Sequence, residues 1–352
     1  MRALVLSGGE GSRLRPLTHT SAKQLIPVAG EPILFHGLAA IRDAGLTDVG
    51  IVVGHTGDEV REAVGDGSRW GLHVTYIQQD APLGIAHAVL TAASFVRGEP
   101  FLLYLGDNVL LEGVRRFVEE FERTRPDAQI LLTRVQEPEH FGVAVLEGDR
   151  VARLVEKPRE FVSDIALVGV YLFDDSILEA CETLSPSWRG EYEITEAIQW
   201  LIDSGRTVRA EMVKGWWKDT GRPEDLLEAN RAMLSVGERR IEGTVDDASR
   251  IEGAVRVAAD ARIEGSRLVG PVVIGPRVVV RGSTVGPDVS IEAGCEVVAS
   301  SIRDSILMEG CLVSGVEGLE GSILGRNVEV RHSGTAGAHR LVVGDQSRVE
   351  VD

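Results

Sequence analysis

The stretch LSGGEGSRLRPLTHTSAKQL, Leu6–Leu25, decides how the first part of this chain folds. It overlaps the end of a short apolar run, Ala3–Leu6, which is typical of a β-strand. Glycines directly after a strand let backbone N–H groups approach a ligand closely, and anions suit such groups. Because cations follow the glycines, the stretch predicts an anion-binding loop at the end of the first strand. The glycines are Gly8, Gly9 and Gly11, and the cations are Arg13, Arg15 and Lys23.

Length and charge limit the classes of function. The chain has 352 residues, which predicts two domains, and a formal net charge of −17. An acidic chain does not suit general binding to nucleic acid or to a membrane surface, so the anion site must be a local cationic pocket. No apolar run is long enough to span a membrane. Three cysteines without a CxxC pair favour a reducing compartment, the cytoplasm.

Up to about Val236, strand-like runs alternate with helix-like patterns. This alternation predicts an α/β domain with a largely parallel sheet covered by helices. Ligands of such sheets bind at the carboxyl ends of the strands, where both the glycine loop and Gly106-Asp107-Asn108 lie. The predicted strands are Ala3–Leu6, Asp48–Val53, His73–Ile77 and Pro100–Leu105, and the predicted helices are Ile33–Ala44, Asp58–Val64, Ile85–Phe95 and Val114–Arg123.

From about Ile241 the pattern changes to aliphatic residues at six-residue steps. This period predicts a parallel β-helix over residues 241–352, and we favour left-handed winding. An irregular β-sandwich is the alternative, but equal steps over five positions argue against it. Those positions are Val245, Ile251, Val257, Ile263 and Val269.

The opening stretch resembles the signature of the sugar-1-phosphate nucleotidyltransferases, a strand followed by GGxGTRLxPLT and then a lysine. Ser12 stands where threonine is usual. The stretch is not a dinucleotide-binding fingerprint, because Leu14 occupies the place of the last glycine. The resemblance implies a Rossmann-like nucleotidyltransferase domain over residues 1–236. Further motifs follow in family order, namely LGDN at 105–108, FGV at 141–143, VEKP at 155–158, RGEYEITE at 189–196 and WKDTG at 217–221.

The reaction that the resemblance implies is attack by a sugar 1-phosphate oxygen on the α-phosphorus of a nucleoside triphosphate, with release of pyrophosphate. The segment Ala22-Lys23-Gln24 resembles the corresponding segment of the family members that use dTTP and glucose 1-phosphate. UTP or another sugar 1-phosphate is the first alternative, and a non-catalytic regulatory subunit is the second. A third is acyl transfer on the β-helix by His332 or His339, for which no other acyltransferase signature is present.

The resemblance also assigns roles to individual residues. Arg13, Lys23, Asp107 and Asp219 are the implied catalytic residues, and the two aspartates are the implied ligands of Mg²⁺. The eight histidines show no metal-ligand spacing. The implied nucleotide-binding residues are Leu6, Gly8, Gly9, Gly11, Ser12, Arg13, Gln24, Gln79, Gly84 and Asp107. The implied sugar-phosphate-binding residues are Gly142, Glu156, Lys157, Val168, Arg189 and Trp217.

The two halves have separate patterns of apolar residues, so the sequence favours two independent cores. A chain that ends near Val236 keeps every residue to which we assign chemistry. We therefore expect the β-helix to serve association into a homo-oligomer, and we expect residues 1–236 to retain turnover.

Overall fold

The structure is a computed structural model that describes residues 1–9, 11–148, 150–332 and 339–351. It divides into two compact units. Met1–Glu10 and Leu34–Asp219 form the first, while Gly11–Ile33 and Thr220–Asp352 form the second. Most of the signature stretch therefore belongs to the same unit as the repeats. The domain boundaries at residues 236 and 241 stay a prediction.

The larger elements up to Thr124 follow the alternation that the sequence predicts, except that the helix expected over Ile85–Phe95 is interrupted at Ala92. From Ala128 to Phe173 the alternation is wrong, because four strands follow one another with no described α-helix between them. No helix among the described residues has the length and apolarity needed to cross a membrane. The strands are β1 Arg2–Ser7, β2 Pro27–Val28, β3 Glu31–Pro32, β4 Asp48–Val53, β5 His73–Gln78, β6 Phe101–Leu105, β7 Asn108–Leu110, β8 Ala128–Arg134, β9 Gly142–Glu147, β10 Arg150–Glu156, β11 Ile165–Phe173, β12 Val208–Met212 and β13 Trp217–Asp219. The α-helices are α1 Ile33–Asp43, α2 Gly57–Val64, α3 Ile85–Thr91, α4 Ala93–Val96, α5 Arg115–Thr124, α6 Ser176–Thr183, α7 Ile194–Asp203 and α8 Pro223–Ser235, and short 3-10 turns cover Ser12–Leu14, Leu17–His19, Lys23–Leu25, Ser68–Trp70 and Pro138–His140.

The main sheet of the first unit confirms the predicted α/β fold. Strands β5, β4, β1 and β6 are neighbours in that order and pair in parallel. Strand β11 continues the sheet antiparallel to β6, and also pairs with β8 and β9. Fully buried side chains such as Leu4, Phe101 and Phe173 form its core. The strand ends position the site, because Gly8 and Gly9 follow β1 and Asp107 follows β6.

The repeats of the second unit form a parallel β-helix, as predicted. Val257 pairs with Ile274 and Ile274 with Ile291, so one coil there takes 17 residues over three short strands. Val269 is a correction, because Leu268 is the buried middle residue of its strand and neighbouring residues of a strand point to opposite faces. Left-handed winding stays a prediction. The strands are β14 Arg240–Ile241, β15 Thr244–Val245, β16 Arg250–Glu252, β17 Val255–Val257, β18 Arg262–Glu264, β19 Arg267–Val269, β20 Val272–Ile274, β21 Val279–Arg281, β22 Thr284–Val285, β23 Val289–Ile291, β24 Glu296–Val298, β25 Ser301–Arg303, β26 Ser305–Leu307, β27 Leu312–Ser314, β28 Leu319–Glu320, β29 Ile323–Leu324, β30 Glu329–His332, β31 Val342–Val343 and β32 Arg348–Val351.

Candidate active site

A cavity of about 110 Å³ in the first unit collects most of the residues predicted to bind the sugar phosphate. Strand β9 begins at Gly142, and its antiparallel partner β10 ends at Glu156, opposite Gly142. Both residues therefore lie at the same end of this strand pair. The ring of Phe141 packs edge-on against the indole of Trp217, with 5.7 Å between ring centroids, and forms an apolar wall. The predicted residues that line the cavity are Gly142, Glu156, Lys157, Trp217 and Asp219.

Charged side chains form a network beside this cavity. Lys157 Nζ lies 3.6 Å from Glu156 Oε1, and Arg189 Nη1 lies 3.5 Å from the same oxygen. Arg189 also pairs with Glu191 at 2.7 Å and with Glu193 at 3.2 Å. Burial raises the pKa of Glu156, and the charge of Glu193 raises it further, whereas Lys157 and Arg189 act in the opposite direction. The arrangement presents two cations whose present partners are carboxylates, so an incoming phosphate can exchange with them.

The two predicted metal ligands lie at one end of a two-stranded ribbon. In the antiparallel pair of β7 and β13, Asp219 is opposite Asn108, and Asp107 directly precedes Asn108. Asn108 Nδ2 donates to Asp107 Oδ1 at 3.0 Å. Two carboxylates are a fitting donor set for a hard divalent cation, which takes its other oxygen ligands from phosphates and water. The residues present therefore fit the predicted metal.

Asn108 is a site residue that sequence reasoning missed. Its Oδ1 accepts a hydrogen bond from Trp217 Nε1 at 2.7 Å and from the backbone N–H of Gly169 at 3.2 Å. A Cβ at position 169 would lie 2.6 Å from that oxygen, so only glycine leaves room for it. The amide thus ties Asp107, the predicted metal ligand, to the indole of Trp217 and to strand β11. The LGDN motif contained the residue, but its contacts come from distant parts of the chain.

Thr195 and Tyr171 also line the cavity, whereas the predicted residue Val168 does not. Val168 is fully buried, and its neighbours Leu167 and Gly169 line the cavity instead. Thr195, which was not singled out, donates from Oγ1 to Glu156 Oε2 at 3.0 Å. Burial raises the pKa of Tyr171, with the charges of Glu156 and Asp219 adding to the shift, so its hydroxyl stays neutral. The role of Val168 in sugar-phosphate binding stays a prediction.

Two predicted nucleotide-binding residues of the first unit, Gly8 and Gln79, lie side by side. A Cβ at Gly8 would lie 3.2 Å from Gln79 Oε1, so the glycine loop approaches this buried amide closely. Gln79 Nε2 is 2.9 Å from His87 Nδ1. Gly84, before α3, has φ of +100°, and a Cβ there would lie 2.6 Å from the carbonyl oxygen of Tyr192. Sequence reasoning gave His87 no role, because a single histidine has no spacing to reveal one.

Leu6 and Gly9 complete the predicted residues of this unit. Leu6 lies in β1, where it is opposite Val52 on one side and Leu105 on the other. Gly9 follows as an exposed residue. Their role in nucleotide binding stays a prediction.

The second unit holds the remaining residues of the predicted phosphate loop. Gly11 has φ of +62°, and a Cβ there would lie 3.0 Å from Lys23 Cβ, so the loop folds back on itself. Ser12 and Arg13 are exposed. A Cβ at Gly221 would lie 2.9 Å from Arg13 Nη2, so the guanidinium of Arg13 packs against Gly221, the last residue of the WKDTG motif. This contact was not predicted.

Gln24 is the remaining predicted nucleotide-binding residue. It is 1% exposed, and its Oε1 has no hydrogen-bond partner among the described residues. A buried acceptor in this state costs free energy unless a ligand donates to it. The observation supports a binding role for the side chain.

A known protein family matches about two thirds of the chain. The chain matches the profile described as Nucleotidyl transferase over residues 2–236, and it belongs to that family. Members of the family generally use a divalent metal ion. The family resemblance inferred from the motifs is therefore confirmed.

Two relatives are similar over the whole chain, and a solved structure is similar over 65% of it. The glucose-1-phosphate thymidylyltransferase of Streptomyces griseus is 52% identical over 353 residues, which cover 100% of this chain and 99% of the relative. The enzyme of the same name from Streptomyces antibioticus is 51% identical with the same coverage. A Bacillus anthracis crystal structure described as a glucose-1-phosphate thymidylyltransferase, with sucrose bound, is 35% identical. It covers 65% of this chain and 94% of its own, with a TM-score of 0.62.

Proposed function

We propose that this protein transfers a thymidylyl group from dTTP to glucose 1-phosphate, which gives dTDP-glucose and pyrophosphate. The observation that carries the proposal is the cavity that brings Glu156, Lys157 and Trp217 together in the chain of a nucleotidyl transferase. Relatives with this activity in their names, at 52% and 51% identity over the full length, support the choice of substrates. UTP or a different sugar 1-phosphate is the second candidate.

The proposed mechanism is direct attack of the sugar phosphate on the α-phosphorus. A phosphate monoester has its second pKa near ~6 and is largely ionised at neutral pH, so the attack needs no general base. Lys157 and Arg189 bind the sugar phosphate, and Glu156 accepts hydrogen bonds from sugar hydroxyls. Arg13 and Lys23 bind the triphosphate and stabilise the charge that leaves with pyrophosphate. The chain's contribution is therefore orientation and neutralisation of charge.

In this proposal Asp107 and Asp219 would hold Mg²⁺, which would supply positive charge to offset that of the phosphates. We expect Asp107→Asn and Asp219→Asn each to lower kcat on the order of 10²- to 10³-fold, the range for loss of one electrostatic element. The measurement is pyrophosphate release as a function of Mg²⁺ concentration, with Asp43→Asn in α1 as the control. Near-normal turnover at subsaturating Mg²⁺ would remove the altered residue from the metal site.

A matrix of substrates tests the reaction itself. Five nucleoside triphosphates are paired with several sugar 1-phosphates, and pyrophosphate release gives kcat/KM for each pair. We expect dTTP with glucose 1-phosphate to be best and UTP to be second, because one methyl group in an apolar pocket discriminates by only ~1–3 kcal/mol. A clear preference for GTP or ATP refutes the assignment of the base. Absence of turnover on every pair favours the non-catalytic regulatory subunit.

The proposal extends to assembly and location. Several large apolar side chains are exposed, which is a common property of surfaces that associate, and we propose a homo-oligomer. The described cysteines, Cys181, Cys295 and Cys311, are buried free thiols, which suits a reducing cytoplasm. Light scattering measures the oligomeric state. The exposed apolar side chains include Phe161, Trp188 and Val236.

A further inference from the structure

The signature segment between Arg13 and Lys23 lies on the last coils of the β-helix, inside the second unit. A Cβ at Gly344 would lie 3.1 Å from the carbonyl oxygen of Pro16, so the two backbones are in close contact. Thr20 Oγ1 donates to Asp345 Oδ2 at 2.6 Å. Arg326 Nη1 donates to Ser21 Oγ at 2.5 Å. These three contacts fall between the two cations that the proposed reaction requires.

The two β-helix side chains come from stacked turns that support each other. Strands β29 and β31 are successive rungs that pair in parallel, and Arg326 and Asp345 lie in the turns after them. The backbone N–H of Arg326 donates to Asp345 Oδ1 at 2.7 Å, and that of Gln346 donates to the carbonyl oxygen of Arg326 at 2.7 Å. One carboxylate of Asp345 therefore holds both a turn of the β-helix and the signature segment. These hydrogen bonds fix the Asp345 side chain and the backbone of Arg326 without any substrate.

The chain that follows the signature segment is fixed on earlier coils of the β-helix. The backbone N–H of Ala29 donates to Asn230 Oδ1 at 2.9 Å, and its carbonyl oxygen accepts from Arg256 Nη2 at 2.9 Å. Asn230 is fully buried in α8 and also accepts from Ser290 Oγ at 2.9 Å. The chain is thus held both at Ser21 and at Ala29, with Lys23 between the two attachments.

We propose that Arg326 and Asp345 are positioning residues for the nucleotidyl transfer, acting through Ser21 and Thr20 on the segment that carries Arg13 and Lys23. This inference rests on the proposed function and deepens it. A loop that must be ordered when a triphosphate binds loses conformational freedom, and a loop already held in place loses less. Small misplacement of charged groups also costs rate, because reacting atoms need defined geometry. The β-helix then takes part in the reaction and is not only an assembly domain.

The test compares full-length variants on both sides of one hydrogen bond. Arg326→Ala and Ser21→Ala are measured singly and together, and Arg326→Lys is the conservative variant. Arg303→Ala is the matched control, since Arg303 is an exposed arginine of the same β-helix that pairs with Glu320. Each variant is assayed for kcat, for KM of both substrates, for dTTP binding by calorimetry and for its unfolding midpoint.

We expect Arg326→Ala to lower kcat/KM for dTTP about 10- to 100-fold, the range for a hydrogen bond to a charged group. The KM for glucose 1-phosphate stays unchanged, because the sugar-phosphate residues belong to the first unit. Ser21→Ala gives a smaller loss, and the double variant is no worse than Arg326→Ala. Arg326→Lys restores part of the activity, and Arg303→Ala equals the wild type.

Several outcomes would overturn the inference. These are an unchanged kcat/KM in Arg326→Ala, an equal loss in Arg303→Ala, multiplied losses in the double variant, or an equal rise in both KM values. If Arg326→Ala does not fold, Thr20→Val with Ser21→Ala tests the same contacts from the loop side, and wild-type kinetics in that pair refutes it. Wild-type protein without turnover would refute the proposed function instead. Equal calorimetric affinity of wild type and Arg326→Ala for dTTP would then count against this inference separately.

Discussion

In the proposed nucleotide site, the side-chain amide of Gln79 presents either its oxygen or its nitrogen to the base, and we infer that His87 determines which. Gln79 Nε2 donates to His87 Nδ1 at 2.9 Å, which requires the tautomer with its proton on Nε2. The Oε1 end of the amide then faces the glycine loop near Gly8. Thymine and uracil carry one N–H between two carbonyl groups, so the orientation of a facing amide determines the match.

We expect His87→Ala to lower kcat/KM for dTTP about fivefold to tenfold, the effect of one neutral hydrogen bond. The amide is then free to rotate, and the KM for glucose 1-phosphate stays the same. His87→Gln keeps most of the activity, because its amide oxygen can accept the same bond. Steady-state pyrophosphate release gives kcat/KM for the wild type, His87→Ala and His87→Gln. Equal losses in the two variants would show that the imidazole serves packing against Tyr192 rather than the amide of Gln79.

Local motifs made part of the site predictable, and long-range contacts kept the rest hidden. Glu156 and Lys157 are adjacent in sequence, so one motif reveals both. Asn108 contacts Gly169 and Trp217, which are 61 and 109 residues away, and no local pattern carries such a contact. The amide needs both partners at once, and only the folded sheet and ribbon supply them. Because Gly169 and Trp217 are so far from Asn108 in sequence, the structure alone revealed these contacts.

Among the elements of the β-helix, the rung that carries Glu292 brings a partly buried carboxylate into an acidic setting. Its Oε1 has no hydrogen-bond partner in the part of the chain that the structure describes. Burial raises the pKa of Glu292 to about 7, with the charges of Glu309 and Glu31 adding and that of Arg326 opposing. The folded protein therefore holds a proton that the unfolded chain, with an ordinary glutamate pKa of 4.5, releases. The contribution of protonated Glu292 to the free energy of unfolding is complete below pH 4.5, and it is lost as the pH rises towards 7.

We expect Glu292→Gln to become more stable than the wild type as the pH rises from 5 to 8, by up to about 3 kcal/mol. The glutamine side chain has no charge to bury, so the free energy of unfolding of Glu292→Gln does not fall with pH in this way. Urea unfolding at both pH values measures the difference. Glu317→Gln, an exposed position of the same β-helix, is the control and should follow the wild type. Parallel pH profiles for Glu292→Gln and the wild type would contradict the assignment.

Periodicity predicted elements well where neighbouring residues decide the structure. The six-residue step reveals the faces of the β-helix because the strands turn one or two aliphatic residues each into the core. The step slips at Leu268, which follows the buried Ile263 by five residues. The order of strands in the main sheet is a different matter. Strand β12 pairs with β8 across residues 128–212, and β11 joins three strands antiparallel. Such pairings depend on the packing of the whole sheet, which short windows of sequence do not report.

At the scale of the whole molecule, the structure changes what removal of the β-helix should do. The sequence favoured two independent cores, with turnover retained by residues 1–236. The second unit, however, joins Gly11–Ile33 to the repeats, so the shortened chain loses partners of the signature segment. Ser21 loses Arg326, Thr20 loses Asp345 and Ala29 loses Arg256.

We therefore expect residues 1–236 to show at least ~100-fold lower kcat/KM for dTTP than the full chain, because several attachments of one loop are lost together. The sugar-phosphate residues all remain, so calorimetric binding of glucose 1-phosphate should persist and would show that the shortened chain is folded. Light scattering should report a smaller assembly. Glucose 1-phosphate binding together with full dTTP turnover would mean that the signature segment keeps its conformation without the β-helix, and the repeats would then serve association alone. Loss of binding as well as turnover would mean that even the first unit depends on the repeats for its folding.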